Sequence, residues 1–206
     1  NRDDFCVTTK LVEILNDFGD PRLAAYAAPN PSGEIVGMPS GLTDNEATEL
    51  KPTCSRPSAT VRTATAPAIL MDYAEVSFLI AEAAERGIIS GDAAAAYAAG
   101  ISASMNYWGI SDATAIDAYV AANPYDAANW KESIGTQKWL AFYMNGPQAW
   151  AEWRRLDFPV LDVPVAAIED NIPVRLPYAL SETSTNSSFS ASNPNDIMTK
   201  MWWDMN

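Results

Sequence analysis

The sequence predicts a mainly α-helical protein with long irregular loops and few short strands. Three observations predict it. LMDYAEVSFLIAEAAERG, residues 70–87, is dominated by Ala, Leu, Glu and Met and closes on Gly87, the composition of a strong helix with a glycine stop. SGDAAAAYAAGISASMNYWG, residues 90–109, follows after a tight turn and carries an apolar stripe of Ala94, Tyr97, Ile101, Met105 and Trp108. Before and after the helical block, prolines recur too often for long helix: Pro29, Pro31, Pro39, Pro52, Pro57 and Pro67, then Pro159, Pro164, Pro173 and Pro177.

The elements follow in order. Thr8 or Thr9 caps a short helix carrying Leu11, Val12, Ile14, Leu15 and Phe18, and Gly19 stops it. DPRL, residues 20–23, is a turn that re-enters ordered structure. Residues 27–68 read as one long irregular segment, and loops of that length are often functional. Helices are then expected over Leu70–Arg86, Ala93–Trp108, Asp112–Ala121, Lys131–Met144 and Pro147–Leu156. Ser90 or Asp92 caps the second and Asp112 the third; NPYDAANW, residues 123–130, is loop; Gly146 ends the fourth and Pro147 starts the fifth.

The first two, joined by so short a turn, should lie antiparallel. Leu70–Arg86 is apolar or small almost all round, apart from Asp72, Glu75, Glu82 and Arg86 on one side, so it should be largely buried. Glu82 and Arg86 are ordered for an (i, i+4) pair. After Phe158, VPVAAI and IPVRLPY read as extended, short strand pieces, and residues 181–195 as polar loop. Trp202 and Trp203 are expected to pack on the body, because a bare apolar tail is a liability.

Composition excludes several function classes. The 206 residues carry 13 basic and 26 acidic side chains, a formal net charge of −13. Phosphate backbones need a basic surface, so nucleic acid is not an expected partner, and anionic membrane surfaces are disfavoured likewise. No apolar run approaches a membrane span. The opening NRDDF is no signal peptide, which does not argue for the cytosol if the chain begins part-way through a longer protein.

There is no histidine. That removes Ser-His-Asp and Cys-His nucleophile systems, histidine-bearing zinc sites and histidine-held haem. Catalysis would have to run on Asp, Glu, Lys, Tyr or Cys. Neither GxGxxG nor GxxxxGK[ST] occurs, and Asp/Asn clusters lack calcium-loop spacing, so no cofactor or metal is expected. Cys6 and Cys54, the only cysteines, are compatible with one disulfide or with two buried thiols.

Two constellations bear on chemistry. In GPQAWAEWRRLDFP, residues 146–159, Trp150 and Trp153 share one helical face, and Arg154 is placed to lie over Trp150 as a cation–π partner. Aromatics beside cations can hold sugar rings or bases. Tryptophans at helical spacing are more often core anchors, and the acidic charge denies base stacking, so the core reading is preferred. Arg154 or Arg155 should pair with Glu75, Glu82 or Glu152. Glu75 and Glu82, seven residues apart on one face, have the residue types of a hydrolytic carboxylate pair, but ion pairs to a neighbouring helix are the preferred reading.

Several segments together resemble the SusD/RagB family of nutrient-binding outer-membrane lipoproteins. The resemblance rests on ILMDYAEVSFLIAEAAERG, AYAAGISASMNYWGI, IGTQKWLAFYMNGPQAWAEWRRLDFPVL, IPVRLPYALSE and MTKMWWD, in the family's order, with RDDFCVTTKLVEILNDFGDPRLAAYAAP as a similar lead-in. It covers nearly the whole chain. Family members are more than twice as long, so residues 1–206 are expected to be a single domain forming the C-terminal part of such a protein. The signal peptide, lipidated cysteine and first helical repeats would lie in a missing N-terminal part; Cys6, behind NRDDF, does not match the lipidated cysteine.

The resemblance implies tetratricopeptide-like helix pairs in a SusD-like α-α superhelix. It also implies non-enzymatic capture of a glycan at the cell surface and delivery to a SusC-like TonB-dependent outer-membrane transporter. The protein would sit in the outer membrane, surface-exposed and lipid-anchored through the missing part. A carboxylate-based glycan hydrolase and a purely structural helical-repeat interaction module are the alternatives. Candidate ligand contacts are aromatics outside the core stripes with amides or charges nearby: Tyr26, Asn30, Arg56, Tyr125 and Trp130. Residues 27–68 hold no aromatic at all, which weakens a sugar platform there.

Overall fold

The computed structural model describes residues 4–190 and 195–204. Among these the protein is helical: α1 Thr9–Asp17, α2 Arg22–Tyr26, α3 Asp44–Leu50, a 3₁₀ turn Ala59–Arg62, α4 Tyr73–Glu85, α5 Ala93–Tyr107, α6 Ala113–Ala122, α7 Trp130–Ala141, α8 Gly146–Leu156 and α9 Leu180–Thr185. Side-chain caps set several starts. Thr8 accepts from the Leu11 amide, Asp92 from Ala95 and Asp112 from Thr114. Asp72 accepts from the Glu75 amide at 2.8 Å, so α4 begins at Tyr73 rather than Leu70.

The α4–α5 hairpin is antiparallel. A Cβ on Gly91 would touch Ala84 at the end of α4, while Tyr73 at its start and Tyr107 at the end of α5 line one hollow. Gly100 lets the two helices approach closely: a Cβ there would meet the Phe78 ring at 2.9 Å. Ala74, Phe78, Ala81, Tyr97, Ile101 and Met105 of this pair form the larger core with Ile116, Tyr119, Ile134 and Leu156. A second cluster joins α1 and α2 to Leu140 of α7, and Tyr26 stacks on Tyr143 at 4.2 Å between ring centroids.

Charged groups hold α4, α7 and α8 together. Arg155 bonds both carboxylate oxygens of Glu82 and also Glu152, as expected. Arg86 adds its (i, i+4) bond to Glu82 at 3.1 Å, and the fully buried Lys138 reaches Glu152 at 2.9 Å. Arg154 lies 3.8 Å from the Trp150 ring centroid, the cation–π contact that the spacing predicts. A deeper lock was not anticipated. Arg22, completely buried, binds Asp20 and donates to Ser104 Oγ at 3.0 Å and Gln137 Oε1 at 2.8 Å. Tyr119 donates to Asp20 Oδ2 at 2.8 Å.

Some expectations are corrected. VPVAAI and IPVRLPY form no strand among the described residues; only isolated bridges, Thr8 to Met38 and Ala27 to Pro57, are seen. Pro164, Pro173 and Pro177 lack the amides that a ladder needs, and the extended backbone instead reaches single carbonyls such as Ser40 O and Ile197 O. Residues 27–68 are not wholly irregular: they contain α3, opened by a Thr43–Glu46 capping box. Part of the polar 181–195 segment is helical, as α9. α7 stops at Ala141, well before Gly146, and Met144 turns the chain at φ 70°. Cys6 and Cys54 are free thiols. Trp203 is half-buried, 5.0 Å from Arg154, but Trp202 is 86 % exposed and does not pack on the body.

Candidate functional site

A cleft of about 970 Å³ opens where the chain's first described residues, the 57–62 segment, the end of α7 and the start of α8 converge. Its walls are aromatic: Phe5, Trp139, Phe142, Tyr143, Trp150 and Trp153. Trp150 and Trp153 thus belong to neither core cluster. The preferred core reading is corrected in that respect: both rings are half-buried walls. Each is held by its indole N–H, Trp150 donating to Pro173 O and Trp153 to Pro159 O, both at 3.1 Å. With those donors used, the rings offer π faces and edges rather than hydrogen bonds. One face of Trp150 is covered by Arg154.

Polar groups are few. Thr8 and Arg62 line the cleft, and Arg62 is exposed. Cys6 lines it too, and its sulfur accepts from Arg56 Nη1 at 2.8 Å. Such walls can hold the flat apolar face of a ring, with cations at the rim for polar substituents.

The sequence-predicted contacts are scattered. Tyr26 is corrected outright as a residue outside the core: it is fully buried, donates to Leu140 O at 2.9 Å and packs against Trp108 and Tyr143. Burial pushes its hydroxyl up to about 12. Asn30 organises its own loop, accepting from the Ser32 and Glu34 amides and donating to Thr53 O at 2.8 Å. Arg56 stands next to the cleft through Cys6.

Tyr125 and Trp130 are half-buried and pack on the larger core. Tyr125 leans on Tyr97 at 5.4 Å and donates to Glu85 Oε2 at 2.7 Å. Trp130 is the first residue of α7. Neither lines the cleft.

The carboxylate pair is not arranged for hydrolysis. Glu75 and Glu82 are buried against α8 and line neither this cleft nor the hollow between Tyr73 and Tyr107. Glu82 is taken up by Arg155 and Arg86, and Glu75 Oε1 accepts from Gln148 at 3.1 Å. Burial raises the Glu75 carboxyl above its ordinary value, partly offset by Lys138. Among the described residues no group of acidic or cysteine side chains could hold a metal, and no helix is long and apolar enough to cross a membrane.

The described residues thus form a helical scaffold whose helix pairs surround an aromatic cleft. The chain belongs to the SusD-like family described as starch-binding and associating with the outer membrane, whose model matches residues 1–179. No curated protein matches it in sequence. Among solved structures, one titled a chitin-binding protein is 30 % identical, with a TM-score of 0.83 over 97 % of this chain and 50 % of its own. A chitin-binding SusD homolog from Flavobacterium johnsoniae is 27 % identical, with a TM-score of 0.83 over 98 % of this chain and 50 % of its own. A SusD homolog from Bacteroides vulgatus is 26 % identical, TM-score 0.81, covering 96 % and 49 %. The chain therefore spans about half the length of the structures it matches.

Proposed function

We propose that this chain is the C-terminal part of a longer, non-enzymatic lipoprotein that captures a glycan at the cell surface. It would pass the glycan to a SusC-like TonB-dependent transporter in the outer membrane. The observation that carries this reading is the match of 179 residues to a starch-binding family. The likeness to two chitin-binding structures supports a β-linked oligosaccharide as ligand, and the starch-binding family description an α-linked one.

The aromatic cleft is the proposed stacking surface in this half. Pyranose rings lay their C–H faces on indole and phenol rings, and by analogy with other ring-stacking contacts each is worth about 1–2 kcal/mol. Trp150 and Trp153, pinned by their N–H groups, lose little freedom on binding.

Titration calorimetry of the full-length protein with malto- and chito-oligosaccharides tests this. Trp150→Ala and Trp153→Ala should each weaken binding about tenfold, the equivalent of about 1.4 kcal/mol. Tyr125→Ala and Trp130→Ala serve as the rival arm. Their rings pack on the core, so they should lower the melting temperature and leave affinity unchanged. Loss of affinity in the second pair with none in the first moves the site to the Tyr125–Trp130 end. New reducing ends after incubation would instead establish a hydrolase.

A further inference from the structure

The walls of the aromatic cleft hold one charged side chain and none to balance it. In the whole chain 26 acidic side chains outnumber 13 basic ones, yet among the described residues no Asp or Glu lines the cleft, and Arg62 does. Lys10, Lys138 and Arg155 each meet a carboxylate. Arg62, exposed at the end of the 3₁₀ turn Ala59–Arg62, meets none among the described residues.

Donors and acceptors are as unbalanced as the charge. A guanidinium only donates, through a rigid fork of N–H groups. The Tyr143 hydroxyl donates to Tyr26 O at 3.0 Å, and the Trp150 and Trp153 indoles donate to carbonyls. Thr8 Oγ1 is occupied as the cap of α1. No Asn, Gln, Asp or Glu side chain lines the described walls to accept from a ligand. A neutral pyranose brings several hydroxyls, each with a proton to donate, and meets few side-chain acceptors here. A carboxylate or a sulfate ester only accepts, and it can take two parallel bonds from one guanidinium.

The surroundings favour such a group on a ring. Apolar aromatic walls exclude water, which strengthens the attraction between opposite charges. The net charge of −13 opposes it little at contact, because charges more than about 8 Å away are largely screened at physiological salt. A bare inorganic anion would leave Trp150 and Trp153 uncovered, so the charge belongs on a sugar that can stack.

We propose that the cleft selects sugars bearing an anionic substituent, a carboxylate or a sulfate ester, with the ring lying on Trp150 or Trp153 and Arg62 binding the charged group. This deepens the reading of the cleft as a glycan-stacking surface and rests on it.

Titration calorimetry of the full-length protein tests it. Malto- and chito-oligosaccharides of equal length are each compared in three forms: neutral, carboxylated at C6 and sulfated at C6. At about 0.15 M salt an anionic form should bind about tenfold tighter than its neutral parent, and the advantage should shrink at about 0.5 M. Whichever of the two anionic forms gains identifies the source of the charge. Arg62→Gln should bring the anionic and neutral affinities together, and Arg62→Lys, which keeps the charge without the fork, should retain part of the difference. Equal affinities in the parent, tighter binding of the neutral form, or a preference that survives Arg62→Gln overturns the proposal. Neutral binding that Trp150→Ala weakens, without any anionic preference, leaves the glycan reading standing and sinks this one alone. No binding of any form sinks both.

Discussion

Replacing Arg22 by methionine removes the cation from the buried lock and leaves Asp20, itself 4 % exposed, as an uncompensated charge. Asp20 keeps the Tyr119 hydroxyl, and Gln137 loses the guanidinium but still donates to Tyr119 Oη at 2.8 Å. Breaking a fully buried pair by deleting one partner costs about 3–5 kcal/mol. The separate hydrogen bonds to Ser104 and Gln137 are part of that figure, since bonds in one network do not add. For a chain of this size each kcal/mol moves the melting temperature about 2–4 °C, so Arg22→Met should lower it by about 6–20 °C. Urea denaturation followed by circular dichroism measures the free energy directly. The double variant Asp20→Leu/Arg22→Met removes both charges and should recover part of the loss. An Arg22→Met protein within about 1 kcal/mol of the parent, or a double variant whose loss is the sum of the single losses, would refute the lock.

Further outcomes are expected. A Cβ at Gly37 would fall 2.4 Å from the Thr9 Cα, a backbone atom that cannot swing away, so Gly37→Ala should destabilise by about 1–3 kcal/mol in the same urea assay. Because burial raises the Glu75 carboxyl, its ionised form is disfavoured on folding, and that penalty exists above its ordinary value of 4.5 and vanishes below it. Glu75→Gln should therefore raise the melting temperature at pH 7 and make no difference near pH 3; a lower melting temperature at pH 7 contradicts this. Burial would raise Glu82 as well, but the Arg155 bonds override it and hold the carboxyl below its ordinary value. Its contribution is present above that value and lost as pH falls through the folded one, so Glu82→Gln should destabilise at pH 7; a neutral result there would count against the pairing.

The helical frame was legible because its signals are local. Asp92, Asp112 and Gly87 stand where caps and stops are needed, and helix ends differ from expectation by a few residues only. That Arg154 or Arg155 pairs with Glu75, Glu82 or Glu152 was legible because an acidic helix face and a doubled cation demand one another; the structure selects Arg155 with Glu82 and Glu152. What failed depended on partners far along the chain. Tyr26 and Arg22 sit in a short turn-like stretch, and nothing within DPRLAAY says that α5, α6 and α7 close over it. A lone arginine flanked by Asp20 and apolar residues was the only hint. The cleft was missed for a similar reason. Periodicity placed Trp150 and Trp153 on a common face but could not tell whether that face meets a neighbour or an opening.

The Arg22 lock also imposes an order on biosynthesis. Its partners Ser104, Tyr119 and Gln137 lie 82, 97 and 115 residues downstream. At about 5–20 residues per second, a ribosome needs about 6–23 s to travel from Arg22 to Gln137. Throughout that interval the guanidinium lacks the partners that α5, α6 and α7 supply. The Arg22 stretch therefore stays open to proteases and to chaperones until α7 has left the exit tunnel. Slow codons between α5 and α7 would lengthen that exposure, and fast ones there would shorten it.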